Sequence, residues 1–108
     1  MKDAAGKFPN KIPLVVERAA NSPEKLPHLT NPKFLMPRDF TIAEVMNVIR
    51  GKISATHEQG FDKTTGLMLL AQGKFVPKQS DVLWNVYEAY RDADGFLYLE
   101  YTEENIFG

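Results

Sequence analysis

Residues 11–18 read KIPLVVER, a run of aliphatic and β-branched side chains that predicts a β-strand. Proline has no amide hydrogen to donate to a sheet, so Pro13 is expected at the start of this strand or on an edge of the sheet. After a turn rich in proline, residues 33–36 (KFLM) predict a second strand, which Pro37 closes. The two strands are therefore expected to form a hairpin.

A helix is predicted directly after this hairpin. Residues 41–44 (TIAE) match a capping box, in which the Thr41 hydroxyl and the Glu44 carboxylate bond to the first free amides of a helix. Gly51 is expected near the C-terminal end of the helix. Residues 54–66 are polar and contain two glycines, and they are predicted to form a mobile loop. The apolar positions recur at helical spacing: Ile42, Val45, Met46, Ile49 and Ile53.

A second hairpin is predicted after the loop. Residues 67–71 (LMLLA) form an uninterrupted apolar run, which is typical of a central strand covered on both faces. Residues 72–74 (QGK) favour a turn, and residues 75–76 are expected to begin another short strand.

The remaining residues predict a second helix and a final strand. Ser80 is expected to cap the helix, with Asp81 in its first turn. A turn at residues 94–95 (DG) leads to the last strand at residues 96–101. The expected apolar face of the helix consists of Val82, Leu83, Val86, Tyr87 and Tyr90.

The predicted order is strand, strand, helix, strand, strand, helix, strand. Two hairpins separated by a helix, with the first and last strands paired at the centre, make a β-grasp sheet. The predicted fold class is therefore α+β, a ubiquitin-like β-grasp with a mixed four- to five-stranded sheet and two main helices. The domain is expected to span residues 8–104, between a short N-terminal tail at 1–7 and a C-terminal tail at 105–108.

Composition narrows the possible functions. A chain of 108 residues at 44% hydrophobic suits one globular domain. The net charge of −1 provides no basic field for nucleic acid, so no nucleic-acid partner is expected. The chain has no cysteine, which excludes disulfides and thiolate catalysis and is compatible with the cytoplasm. The longest apolar run falls far short of the ~18 residues that a membrane span needs.

No catalytic or metal site is predicted. The two histidines, His28 and His57, have no cysteine or further histidine at ligand spacing. No nucleophile accompanies them in a predicted cleft, so catalytic residues, metal ions and cofactors are all expected to be absent.

The last residue, Gly108, suggests a different chemistry. A glycine carries its carboxylate on a backbone without a Cβ, so the end of the chain can thread through a narrow enzyme channel in an extended shape. Modifiers that are activated at their C-terminus and passed to an amine need this property.

Blocks spread across the chain resemble the GABARAP and light-chain-three family of autophagy ubiquitin-like modifiers. The blocks are residues 8–18 (FPNKIPLVVER), 33–42 (KFLMPRDFTI), 48–50 (VIR), 94–101 (DGFLYLEY) and the final Phe107-Gly108. The family normally has two helices before the first strand, so the resemblance implies that this N-terminal helical extension is shortened here.

The resemblance implies conjugation of Gly108, with Phe107 leading into it, to the head-group amine of phosphatidylethanolamine. The implied partners are activating and conjugating enzymes of autophagy, a deconjugating cysteine protease, and the membrane after conjugation. The implied locations are the cytoplasm and the autophagosome membrane. The protein itself would be a monomer without enzymatic activity.

The resemblance also implies docking of short aromatic-x-x-aliphatic motifs of cargo receptors. A strand at a sheet edge has unpaired amides and carbonyls, to which an extended peptide can add. Lys11, Lys33 and Lys52 would meet acidic residues flanking the motif. Matching positions for the aromatic pocket are Pro13, Val15, Lys33, Leu35 and Phe96. Those for the aliphatic pocket are Phe34, Met36, Pro37, Phe40, Val45 and Val48.

Core packing is an alternative for Val15, Val45 and Val48. Phe34 and Leu35 are adjacent in a strand, so both cannot face one core. Two other functions also remain open. One is a modifier joined through the same glycine to a lysine of a partner protein, and the other is an unconjugated adaptor that binds peptides.

Overall fold

Four strands and two helices make up the computed structural model, which describes residues 10–20, 28–29, 31–56 and 66–103. In chain order they are β1 (Lys11–Arg18), β2 (Lys33–Pro37), α1 (Ile42–Thr56), β3 (Leu67–Ala71), α2 (Leu83–Tyr90) and β4 (Leu97–Glu103).

The strands form one mixed sheet in the order β2-β1-β4-β3. β1 pairs with β2 in antiparallel fashion and with β4 in parallel, and β3 pairs antiparallel with β4. The first and last strands therefore lie side by side at the centre, as the sequence predicts, and the fold is the α+β β-grasp.

Both helices pack against one face of the sheet. Alternate residues of the strands face this core, including Leu14 and Val16 of β1 and Leu97 and Leu99 of β4, all at most 1% exposed. At the end of β4 the buried Tyr101 continues the pattern. The helices contribute the apolar faces that the spacing predicts: Ile42, Val45, Ile49 and Ile53 from α1, and Leu83, Val86 and Tyr87 from α2.

The capping box at the start of α1 is confirmed. The Thr41 amide donates to Glu44 Oε1 at 2.9 Å, and the Glu44 amide donates to Thr41 Oγ1 at 3.3 Å. The expected stop near Gly51 is wrong, because α1 continues to Thr56. Nothing lies within 4 Å of a Cβ built at Gly51, and Ile53, two residues further on, is completely buried. Burial of Ile53 outweighs the ~1 kcal/mol cost of one helical glycine.

The predicted loop at residues 54–66 therefore begins later. Residues 54–56 belong to α1, and residues 57–65 lie outside the described residues.

The start of α2 differs from the prediction. Val82, not Ser80, occupies the N-cap position, and it makes no side-chain capping bond. The first amides of the helix instead donate to backbone carbonyls of the segment between β2 and α1, Leu83 to Phe40 at 2.7 Å and Trp84 to Arg38 at 3.0 Å. Because tertiary backbone bonds satisfy these amides, the helix needs no capping side chain.

Two predictions about sheet position are also wrong. β3 is an edge strand of the described sheet, not a central one. Its outward residues, Met68 and Leu70, are apolar but only half-buried, so the run shows no alternation in sequence. Phe75 forms a single bridge to Ala71 in place of another strand.

Pro13 is the third residue of β1, near the start of the strand as expected, although β1 lies at the centre of the sheet. The pairing of β1 with β4 begins only at Leu14, so at Pro13 the strand is paired with β2 alone. The missing amide hydrogen is therefore tolerated there.

Candidate functional site

β2 provides an open edge for an added strand. In the described part of the chain it pairs only with β1, and no strand lies on its other side. The free backbone groups of such an edge can pair with an extended peptide. Burial alternates along β2, with Lys33 and Leu35 exposed, Phe34 half-buried and Met36 only 3% exposed. Side chains of the edge therefore reach both faces of the sheet, as the sequence predicts.

An apolar groove of about 360 Å³ lies on the face away from the helices. The strand register explains how the groove forms. Pro13 of β1 lies opposite Leu35 of β2, and the pairing of β1 with β4 begins one residue later, at Leu14. Leu35 is 45% exposed, so an apolar ligand side chain has direct access to it. The lining residues are Pro13, Lys33, Phe34, Leu35 and Phe96.

The structure thus brings together four of the five residues expected in the aromatic pocket. The fifth, Val15, lies opposite Lys33 in the ladder and is half-buried, but it does not line the groove. Phe34, which was expected on the aliphatic side, also lines this groove.

The residues expected in the aliphatic pocket divide by burial. Phe34, Phe40 and Val48 are partly buried and pack against the core from its edge. Pro37 is half-buried at the end of β2. Met36 is 3% exposed and Val45 is completely buried, so these two form the base beneath the surface and offer a ligand no direct contact.

The expected cations have different surroundings. Lys33 lines the groove itself. Lys11 is exposed at the start of β1, opposite Pro37 in the ladder. Lys52 is exposed near the C-terminal end of α1 and is not part of β2.

A hydrogen-bonded turn positions Phe96. The Phe96 amide donates to Asp94 Oδ1 at 2.9 Å, and the Tyr98 hydroxyl donates to Asp94 Oδ2 at 2.5 Å. These bonds favour the carboxylate, the tyrosine bond most strongly, and hold the pKa of Asp94 below its usual value. The same contact raises the pKa of Tyr98. Gly95 takes the positive φ of 90° that the turn requires.

Arg38 and Trp84 tie β2 to α2, a contact that the sequence did not predict. The Arg38 guanidinium lies 4.0 Å from the centre of the Trp84 ring, and Trp84 stacks on Tyr87 with ring centres 5.8 Å apart. The contact joins residues 46 positions apart, and nothing local in the sequence signals it.

The remaining predictions concern the C-terminal tail, metal ions and membrane spans. Phe107 and Gly108 lie outside the described residues. Among the residues described, no group of three or more His, Cys, Asp or Glu side chains is arranged to hold a metal ion. Neither described helix has the length and apolar character needed to cross a membrane.

Taken together, the parallel β1–β4 pair, the antiparallel strands β2 and β3 on either side of it and the helices on one face define a ubiquitin-like β-grasp protein. The family model described as "Autophagy protein Atg8 ubiquitin like" matches residues 1–108. The chain belongs to this Atg8 family and is a ubiquitin-like protein of autophagy.

Individual relatives agree with this assignment. Autophagy-related protein 8e of Arabidopsis thaliana is 33% identical over 102 residues, covering 94% of this chain and 76% of the relative. Microtubule-associated protein 1 light chain 3 gamma of Homo sapiens is 35% identical, covering 94% of this chain and 65% of the relative. A crystal structure of Trypanosoma brucei ATG8 superposes with a TM-score of 0.79 at 27% identity, covering 93% of this chain and 78% of that one.

Proposed function

We propose that this protein is a lipid-conjugated modifier of autophagy that docks aromatic-x-x-aliphatic motifs of cargo receptors at the edge of β2. The observation that carries the docking half is the apolar groove beside an unpaired strand edge. The edge offers backbone hydrogen bonds to any extended peptide, and the groove selects for an apolar side chain.

The two faces of β2 fit the spacing of such a motif. Residues three apart in an extended peptide point to opposite faces, so the aromatic residue enters the groove and the aliphatic residue reaches the helix side. There it meets Phe40 and Val48, which are partly buried at the edge of the core. We expect a short motif to bind with micromolar affinity, which corresponds to about −8 kcal/mol.

The conjugation half rests on family membership and on the chemistry of Gly108. Phosphatidylethanolamine supplies two acyl chains at ~0.8 kcal/mol per buried methylene, enough for stable anchoring. In this proposal the activating, conjugating and deconjugating enzymes provide the catalytic groups, and the protein has none of its own. The unconjugated form is cytoplasmic and monomeric, and the conjugated form resides on the autophagosome membrane.

Mass spectrometry of the C-terminal peptide tests conjugation, using protein from the membrane fraction of starved cells that naturally express it. We expect phosphatidylethanolamine on Gly108. An isopeptide bond to a lysine would indicate the protein-conjugating class instead. A free carboxylate, together with full function of a Gly108→Ala variant, would leave only the peptide-binding adaptor.

A further inference from the structure

The outer face of the sheet changes from apolar to acidic along its two central strands. The groove lies at one end, beside the start of the β1–β4 ladder. The parallel register then places Val15 beside Tyr98, and two residues further on it places Glu17 beside Glu100. Alternate residues of a strand share a face, so all four side chains project away from the helices.

Glu17 and Glu100 line a second depression of about 290 Å³, whose wall also includes Arg18, His28 and Pro32. Arg18 Nε donates to His28 Nε2 at 3.1 Å, so this nitrogen is occupied by the imidazole, while the guanidinium keeps its positive charge. Among the described residues, neither glutamate has an ion-pair partner. Like charges directly opposite each other in a sheet repel, and a cation from a ligand would relieve that repulsion.

The order of the two pockets along β2 sets the direction of a docked peptide. The groove lies at Leu35, whereas Pro37 and Phe40 of the aliphatic side follow later in the chain. An aromatic residue that precedes its aliphatic partner therefore requires a peptide parallel to β2. The part of the peptide before the aromatic residue then passes Lys33 and continues toward the acidic depression.

The register also predicts which peptide residue lies level with Glu17. Residues two and four positions before the aromatic residue share its face, and the first of these lies level with Lys33. Val15 pairs with Lys33, so Glu17 is level with position 31, where the second would lie. The Val16 amide donates to the Pro32 carbonyl at 2.8 Å, which shows that the pairing geometry continues past the end of β2.

We propose that this docking surface selects peptides with lysine or arginine four residues before the aromatic residue, with the cation held by Glu17. Glu100 lies one strand further away, with its carboxylate 3.5 Å from a Cβ built at Gly73, and adds only to the negative field. The inference rests on the proposed docking function and adds a charge preference to it. A long side chain is needed because a peptide added to β2 lies two strand spacings, ~9.6 Å, from β1. Lysine or arginine, with an apolar stem and an exposed charge, closes that distance together with the side chain of Glu17, which reaches out from β1.

Titration calorimetry at low ionic strength tests the preference with three peptides. They are Lys-Ala-Glu-Ala-Trp-Ala-Ala-Leu and the two versions with alanine or glutamate in place of the first lysine. We expect the lysine peptide to bind about three- to fivefold more tightly than the alanine peptide, and the glutamate peptide to bind most weakly. Glu17→Gln should remove most of the difference and Glu100→Gln a smaller part. Glu88→Gln, a change of the same charge at an exposed glutamate of α2, should preserve it.

Each outcome has a distinct meaning. Equal affinities of the three peptides would overturn the charge preference and leave the docking function intact. Failure of all three to bind would overturn the docking function itself. A lysine preference that persists in the folded Glu17→Gln/Glu100→Gln double variant would also refute the inference, and if that variant fails to fold, the wild-type series decides.

Discussion

Leu35 is the residue at which docking and folding can be separated. It is 45% exposed and lines the groove, whereas Phe34 beside it also packs against the core. We predict that Leu35→Ala weakens binding of an aromatic-x-x-aliphatic peptide by ~1–2 kcal/mol, or about 5- to 30-fold, as hot-spot truncations do. Titration calorimetry measures the change. Phe34→Ala should weaken binding similarly but also destabilise the fold.

A matched control is available for Leu35. Val76 is 57% exposed and lies outside the groove, so Val76→Ala should leave peptide affinity unchanged. Equal affinity of the wild type and the Leu35→Ala variant would rule out the groove as the aromatic pocket.

Asp94 gives a prediction with a pH signature. Hydrogen bonds from Tyr98 and Phe96 lower its pKa in the folded state below the unfolded value of 3.8. The carboxylate therefore stabilises the fold at neutral pH, and the contribution is lost as the pH falls below about 4 and through the folded pKa. We expect Asp94→Asn to lower the thermal midpoint at pH 7 and to have little effect near pH 2. A deficit of equal size at both pH values would show that packing, not charge, is responsible.

At the scale of single elements, the two helices start in different ways, and this difference is testable. α1 begins with a side-chain capping box, and α2 begins on backbone carbonyls of Arg38 and Phe40. We predict that Thr41→Ala destabilises the protein by ~1 kcal/mol and Ser80→Ala by less than ~0.5 kcal/mol. Urea unfolding measures both. A larger effect for Ser80→Ala would contradict the backbone capping of α2.

Elements with a local signal in the sequence are predicted correctly, and elements that depend on distant residues are not. β1, β2 and the start of α1 have local signals, namely a β-branched run, a closing proline and a capping box, and the structure confirms all three. The cap of α2 and the contact of Arg38 with Trp84 depend on residues distant in sequence, so no local pattern reveals them. The edge position of β3 is hidden because both of its faces are apolar in sequence.

The candidate site shows a similar division. Its residue types and their alternation along β2 are predictable, because strand period alone places Lys33 and Leu35 on one face. How deeply each residue is buried is not predictable, because the complete burial of Val45 depends on how α1 packs. The pair of carboxylates at Glu17 and Glu100 also appears only once the parallel register of β1 and β4 is known.

At the scale of the whole molecule, the described sheet has two edges with different surroundings. The β2 edge borders the apolar groove, and the β3 edge lies at the opposite side, three strands away. A peptide that adds as a strand has both edges available in principle. Because the apolar groove borders only the β2 edge, we predict that the peptide binds there.

Titration of ¹⁵N-labelled protein with an aromatic-x-x-aliphatic peptide, followed by amide chemical shifts, distinguishes the two edges most directly. We predict the largest shifts at residues 33–37 and at Phe96, with smaller shifts in β1 and none of comparable size in β3. The largest shifts at residues 67–71, or shifts spread evenly over the sheet, would contradict docking at the β2 edge.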